Sequence, residues 1–401
     1  MKLNKQILLK CEDECTGCGA CIASCKFQAI EKKTTGFGAW VPEINYNLCV
    51  QCGLCASVCH KKISRQSCDK KAYIAYNKDL TLRMTSASGG VFSALAAYVI
   101  DHHGCVFGSE MKFVDGNAVV EHIMVTERKD LPRILGSKYV QSDCARAYIQ
   151  AKKELRAGRV VLFSGCSCQI NGLRNYLCGV DQSNLYTIDL VCHGVPDIEL
   201  FNDYIKFLEK KNKGTIKNLY FRTKEIDKVT LELFVIFRNK IELNDKNDED
   251  IQLRIPLRES SYYRMFMMQE SYRKACYQCP YASLDKPADI TIGDYFEARD
   301  DYPELFVGDD AIDCNWGLSC IISHNQKGEE LLQTAIDYLY LKEVQPQVVQ
   351  ASHGNLHKPS KHTKARYFLG MLYSVFGYRS IEVFYHIRNK LVVFVKKIFR
   401  K

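Results

Sequence analysis

Hydrophobic and polar positions change their period along the 401-residue chain, and each change predicts an element. Val91–Ile100 is apolar on every side, the pattern of a buried helix. The turn before it, Ser86-Ala87-Ser88-Gly89-Gly90, leaves N–H groups free, either as a plain N-cap or as a phosphate-binding helix start. Cys105–Gly108 reads as a strand and Met111–Val125 as a hairpin around Asp115-Gly116-Asn117. Ala145–Ala157 is helical, with Gly158 as its stop. A strand–turn–helix unit then occurs twice. Val160–Phe163 leads through Ser164–Cys168 to a helix from Gln169, and Leu185–Val191 leads through Cys192–Pro196 to a helix from Asp197. Two such units in succession predict parallel βαβ packing, with ligands beyond the carboxyl ends of the strands. Further on, Ile216–Arg222 and Val229–Arg238 alternate like antiparallel strands, and Ser260–Met268 is helical. Asp289–Ile292 and Ile321–Ser323 read as strands, and Gly328–Tyr340 as a helix.

The first 66 residues are patterned by sulfur instead. Cys15, Cys18, Cys21 and Cys25 are spaced x2-x2-x3, and Cys49, Cys52, Cys55 and Cys59 repeat that spacing. Three thiolates on a tight turn reach three irons of a cubane, and the fourth, carried off on a helix, ligates the other cluster. The repeat therefore predicts two 4Fe-4S clusters, one on Cys15, Cys18, Cys21 and Cys59, the other on Cys49, Cys52, Cys55 and Cys25. Zinc knuckles also use Cys-x2-Cys, but a tetrahedral ion has no use for the third step. Cys11, Cys15 and Cys18 also spell the C-x3-C-x2-C of radical enzymes, yet two of the three are already claimed. The proline usual after the fourth cysteine is replaced by Lys26 and His60, polar or cationic groups that favour the reduced, more negative state. Gly36–Asn45 is the expected strand between the motifs, and Ser67–Thr85 a connection to the body.

Composition narrows the setting. Twenty cysteines and no export signal in Met1–Lys10 point to a reducing, anaerobic cytoplasm. No run approaches the roughly 18 apolar residues of a membrane span. Of the net charge of +9, residues 358–401 carry +10, from eleven Lys/Arg and the single acid Glu382; the preceding residues balance 44 bases against 45 acids. The body thus offers no basic surface for nucleic acid. In the tail, Phe384, Ile387, Leu391, Phe394, Val395 and Ile398 share one helical face, with Lys390, Lys396, Lys397, Arg400 and Lys401 largely opposite. Such a helix lies on an anionic membrane or docks on protein with its basic side in solvent.

Cys168 and Cys192 follow the two βαβ strands, and Cys276 and Cys279 form a C-x2-C turn. Spacing alone leaves them as buried structural thiols and a zinc half-site. A set of motifs in fixed order says more: Ser88-Gly89-Gly90, Gly136–Gln141, Val161–Gln169, Ile188–Pro196, Cys276/Cys279, Ile290–Asp294 and Gly317–Ser319. Over roughly residues 80–340 the chain resembles the beta subunits of coenzyme F420-reducing hydrogenases and dehydrogenases, with a fused ferredoxin module. The resemblance implies a third 4Fe-4S cluster on Cys168, Cys192, Cys276 and Cys279, and an FAD at Ser88, Gly89, Gly90, Lys138 and Gly165. Where the family has Gly-Thr-Pro-Cys, this chain has Gly165-Cys166-Ser167-Cys168, so Cys166 competes with Cys168. His193, Lys138 and Asp294 are candidate catalytic groups, each equally readable as a structural polar residue. A flavin would join one-electron clusters to two-electron chemistry, and neither G-x-G-x-x-G nor a Walker loop is present.

The expectation is an α+β ferredoxin-like module (1–66), an α/β domain with a mixed, partly parallel sheet (80–345) and a basic helical tail (358–401). Its function would be electron transfer from soluble ferredoxin, or another redox protein, through 4Fe-4S clusters and FAD to an organic acceptor. That acceptor is coenzyme F420 or, in a bacterium, a substrate linked to polysaccharide synthesis. The alternatives are an electron-transfer subunit without its own substrate and a purely structural iron–sulfur protein. The expected location is cytoplasmic, or peripheral at the inner face of the membrane.

Overall fold

The two cysteine repeats wind into matching turns in the computed structural model, which describes residues 13–59, 70–225, 228–239 and 250–398. Each ends in one helical turn, α1 (Ala20–Ser24) and α2 (Leu54–Ser57), entered through left-handed Gly19 and Gly53. An L side chain is strained there, so glycine sets the sharpness of the turn. Between the repeats, β1 (Ile30–Thr34) and β2 (Trp40–Ile44) pair antiparallel around Gly36–Gly38. The expected single strand is thus the second arm of a hairpin. Cys11 and His60 lie outside the described residues.

The body begins earlier than its pattern suggested. Most of the presumed connection is β3 (Lys71–Asn77) and α3 (Leu80–Thr85). There follow the buried helix α4 (Val91–Asp101), the hairpin β4 (Cys105–Val114) and β5 (Asn117–Val125), and α5 (Ala145–Arg156). The two βαβ units appear as β6 (Val161–Gly165), α6 (Ser167–Tyr176), β7 (Leu185–Leu190) and α7 (Ile198–Asn212). Next come β8 (Gly214–Tyr220), a small hairpin of β9 (Thr223–Glu225) and β10 (Lys228–Thr230), then β11 (Glu232–Asn239), β12 (Ile251–Pro256) and α8 (Ser261–Met267). β13 (Ile290–Asp294), α9 (Ala298–Asp301), β14 (Ser319–Ser323), α10 (Gln326–Thr334), β15 (Leu339–Val344) and α11 (Pro346–Ala351) complete the body. The expected helix to Tyr340 stops at Thr334, and Leu339–Val344 is a strand. Tyr338, Leu339 and Leu341 suit either period, and pairing with β3 decides it.

Eight strands form one mixed sheet in the order β15-β3-β14-β13-β7-β6-β4-β5. Its centre is parallel, β13 to β7, β7 to β6 and β6 to β4, and its flanks antiparallel. The carboxyl ends of the central strands therefore open on one edge, where ligands gather in such sheets. α4 packs Leu95, Val99 and neighbours against one face, and α5 and α6 pack Tyr148, Ile170 and Leu173 against the other. A second sheet, β12-β11-β8, covers a core shared by Phe201, Tyr262 and Phe266.

The tail folds back as two helices, α12 (Lys364–Phe376) and α13 (Tyr378–Ile398). Leu369, Tyr378, Ile381 and Tyr385 enter that core, joined by Phe37 of the amino-terminal hairpin. Of the predicted stripe, Phe384 packs against that core, whereas Ile387 and Leu391 stay exposed. Among the described residues no helix is long and apolar enough to cross a membrane.

Candidate metal centres

Two cavities mark the amino-terminal region. One is lined by Cys15, Cys18, Cys21 and Cys59, with Trp40 and Pro42 beside them. The other is lined by Cys25, Cys49, Cys52 and Cys55, with Phe27, Val50 and Leu54. Each repeat thus lends its fourth cysteine to the other cavity, the crossed arrangement drawn from the spacing. Local backbone explains how three thiols share one rim. Gly17 and Gly19 in the first turn, and Gln51 and Gly53 in the second, all take positive φ. Their amides point inward, so Gly17 N–H and Gln51 N–H each donate to the sulfur two residues back, at 3.4 Å. Ala29 N–H donates likewise to Cys25 at 3.3 Å. Hydrogen bonds to sulfur stabilise thiolate charge and raise a cluster's potential. Lys26 is exposed.

The first turn is clasped by buried groups that its spacing did not reveal. Gln141 Nε2 donates to the carbonyls of Thr16 and Gly17, both at 2.8 Å. Arg273 meets Cys15 O, Trp40 O and the Asp197 carboxylate.

The third thiol set also converges. Cys166 precedes α6 and Cys168 sits in its first turn, Cys192 lies just beyond β7, and Cys276 and Cys279 belong to the turn after α8. Cys192 and Cys166 share a hydrogen bond at 3.8 Å between sulfurs. Cys168 lies in the electrostatic field of Cys279, Cys192 and Cys276. Burial pushes Cys168 well above the usual thiol range, Cys276 up to about 12 and Cys279 up to about 11. The hydrogen bond with Cys166 brings Cys192 down to about 7. Metal ligation needs thiolates, so a cluster here would displace the protons of Cys168, Cys276 and Cys279 as it bound. Buried Lys286, its amine 3.4 Å from Ser167 Oγ, adds a positive charge felt by Cys192 and Cys279. Five free thiols, with a buried lysine acting on Cys192 and Cys279, fit an anionic iron–sulfur cluster. No three such groups among the described residues close on a single ion, whereas a cubane spreads its thiolates over separate iron corners.

The first cavity and the third thiol set are neighbours. The backbone of α6 approaches so closely that a Cβ on Gly172 would stand 3.0 Å from Cys18 Sγ. Tyr148 Oη lies 2.9 Å from Cys18 O and 2.8 Å from Gln169 O. Tyr281 feels Cys168 and Cys18 alike. The second cavity is lined by residues of the amino-terminal region, and its Cys52 is exposed.

The remaining candidates divide into two groups. Around the sheet edge, His193 adjoins Cys192 and lies in the field of Asp294, His353 and Arg222. Arg222 donates to Asp294 Oδ2 at 2.7 Å. Lys224, in the field of that same pair, caps the turn before α4 by donating to the carbonyls of Arg83, Ser88 and Trp316. A Cβ on Gly89 would meet Ala75 O at 2.6 Å, so glycine alone fits there. Lys138 is held elsewhere: it donates to Leu135 O and Arg133 O, and burial brings it down to about 7. Its neighbour Tyr139 is the residue under Arg222. Gly165 faces Gln169 and His122. Ser88 and Gly165 thus sit beside strands β14 and β6, three strand positions apart, roughly 14 Å.

His122 is itself informative. Its Nε2 lies 2.8 Å from Ser164 O, its Nδ1 faces Ser142 and Cys144, and burial holds it down at about 4 against 6.5. Between those values the unfolded chain binds the extra proton, so stability rises with pH there and is lost on acidification. A His122→Gln variant is expected to remove about 3 kcal/mol of that pH dependence. Denaturant unfolding at both ends of the window, against the parent, checks it.

Comparison with known proteins follows the same division. Residues 14–63 match the family model of the 4Fe-4S dicluster domain. The chain is therefore an iron–sulfur protein of the electron-transfer class. Residues 158–348 match the model of the carboxy-terminal part of the coenzyme F420 hydrogenase/dehydrogenase beta subunit, so a dicluster-like region precedes one similar to that carboxy-terminal part. Ser88–Gly90 and Lys138 precede this match. No curated protein matches the chain. Among solved structures, a chain of the F420-reducing NiFe hydrogenase complex from Methanosarcina barkeri, a xenon derivative, aligns with 74% of this chain and 90% of that one. The identity is 16% and the TM-score 0.44.

Proposed function

We propose that the protein is an iron–sulfur flavoprotein oxidoreductase that takes electrons from ferredoxin or another redox protein and delivers them to an organic acceptor. The acceptor class is coenzyme F420 or, in a bacterium, an organic substrate linked to polysaccharide synthesis. The observation that carries this reading is the chain of three thiol sets: one quartet at the surface, one inside it, and the third against Cys18. Clusters held there would move single electrons, and a flavin would couple them to hydride chemistry.

The residues support that order. Exposed Cys52 stands where a partner can approach. Cys18, Tyr148 and Gly172 keep the inner quartet against the helix that bears Cys168. Cys168, Cys192, Cys276 and Cys279 are the proposed ligands of the third cluster, with Lys286 offsetting its charge. For the FAD, Ser88–Gly90 at the start of α4 lie beneath Lys224 and beside Arg83. The amides of this helix start would suit a diphosphate. Lys138 and Gly165 would meet a different part of so long a cofactor. His193, next to Cys192 and in the field of Asp294, would hold or move a proton there.

The second reading, an electron-transfer subunit serving a separate catalytic protein, is favoured by the same exposed quartet. Both require the cofactors. Protein purified without oxygen is expected to hold about twelve irons, as many sulfides and one FAD per chain. Eight irons and no flavin would reject the proposal for the body, and turnover of an acceptor by the isolated chain separates the two readings.

A further inference from the structure

Docking of the tail uses only one side of each helix. α12 buries Arg366 and Leu369, and α13 buries Tyr378, Ile381 and Tyr385. The outer sides remain apolar: Tyr367, Met371, Val375 and Phe376 on α12, and Ile387 and Leu391 on α13, are each more than half exposed. Phe368 and Phe384 touch across the two helices, with ring centroids 5.6 Å apart, so these stripes flank one contact. Soluble surfaces scatter such residues singly, and a cluster marks an interaction site.

Charge says what the site meets. Residues 358–401 hold eleven Lys/Arg and one acid, while the rest of the chain is balanced. That acid, Glu382, is turned inward to Ser261 Oγ, away from the outer face. Burial pushes its carboxyl up. Lys364, Arg379 and Lys390 are exposed. Arg366 is withdrawn, its guanidinium stacked 5.0 Å from the Phe37 ring centroid. The outer face thus joins aromatic and aliphatic side chains to unbalanced positive charge, the chemistry of an anionic lipid surface. Without a membrane-crossing helix among the described residues, the contact is peripheral.

We propose that the α12–α13 hairpin is a lipid-docking surface that holds the protein on anionic bilayers. The full chain, purified with its cofactors, is mixed with vesicles of phosphatidylcholine alone or of phosphatidylcholine with phosphatidylglycerol, and then sedimented. Binding to the anionic vesicles is expected to exceed that to the neutral ones by roughly tenfold or more, and to weaken as salt rises. A Met371→Glu/Ile387→Glu variant is expected to lose that binding while keeping the parent's iron content and visible spectrum, because both positions are exposed. Equal binding to both vesicles, binding to neither, or an unaffected variant each overturns the proposal. Self-association, or capture of a protein by the same face with vesicles ignored, does so too.

Discussion

An Arg273→Met variant is expected to lose about 3–5 kcal/mol of stability, the cost of breaking a buried ion pair from one side. Arg273 is 2% exposed and Asp197 is equally buried. The guanidinium also meets the carbonyls of Cys15 and Trp40 and lies 5.3 Å from the Trp40 ring. One side chain thus ties the first cysteine turn, the β1–β2 hairpin, the start of α7 and the Cys276 turn together. Methionine keeps the stem's packing but strands the Asp197 carboxylate, which burial already pushes above the usual range. An Asp197→Asn/Arg273→Met double variant is expected to recover part of the loss, because both charges leave together. Recovery stays incomplete, since two carbonyls remain short of donors. Denaturant unfolding of the anaerobic protein, followed by backbone dichroism and visible absorbance, measures both. A loss below about 1 kcal/mol, typical of surface pairs, would remove Arg273 as the clasp.

That clasp was not legible in the sequence, and the reason is physical. Cysteine spacing is a local code: positive φ at Gly17, Gly19 and Gly53 and the x2-x2-x3 step shape the turns within the segment itself. The βαβ units, the hairpin at Asp115–Asn117 and the buried α4 were readable for the same reason, since period and turn chemistry belong to the segment itself. Lone buried cations have no period. Arg273, Lys286 and Lys224 look like any surface Lys or Arg until the chain closes around them.

Pairing partners are equally non-local. The short run Ala72–Tyr76 could serve as linker or strand, and its place between β14 and β15 is settled by residues roughly 245–270 positions away. Lys138 shows the converse error of reading a motif as a direction. The motif names the residue, but its amine is taken up by the loop carbonyls of Arg133 and Leu135.

Cys168→Ala protein, purified without oxygen, is expected to hold about eight irons in place of about twelve, and Cys166→Ala protein to keep the full complement. On the proposed third cluster the two thiols would compete for one corner. Cys166 is 3.8 Å from Cys192, but it stands before the helix, with its amide taken by Gln169 Oε1 at 2.9 Å. Cys168, inside the first turn, faces Cys279, Cys192 and Cys276 and also feels Cys18. That second property favours Cys168, because a ligand at this point keeps the third set in touch with the inner quartet. Thiols two residues apart can substitute for one another. If each single variant kept about twelve irons, the Cys166→Ala/Cys168→Ala double variant would have to fall to about eight. The reverse outcome, iron lost with Cys166→Ala alone, would move the ligand to Cys166 and leave Cys168 as a buried thiol between two centres. Iron and sulfide analysis reads the result directly, and low-temperature paramagnetic resonance of the reduced protein shows which centre has gone.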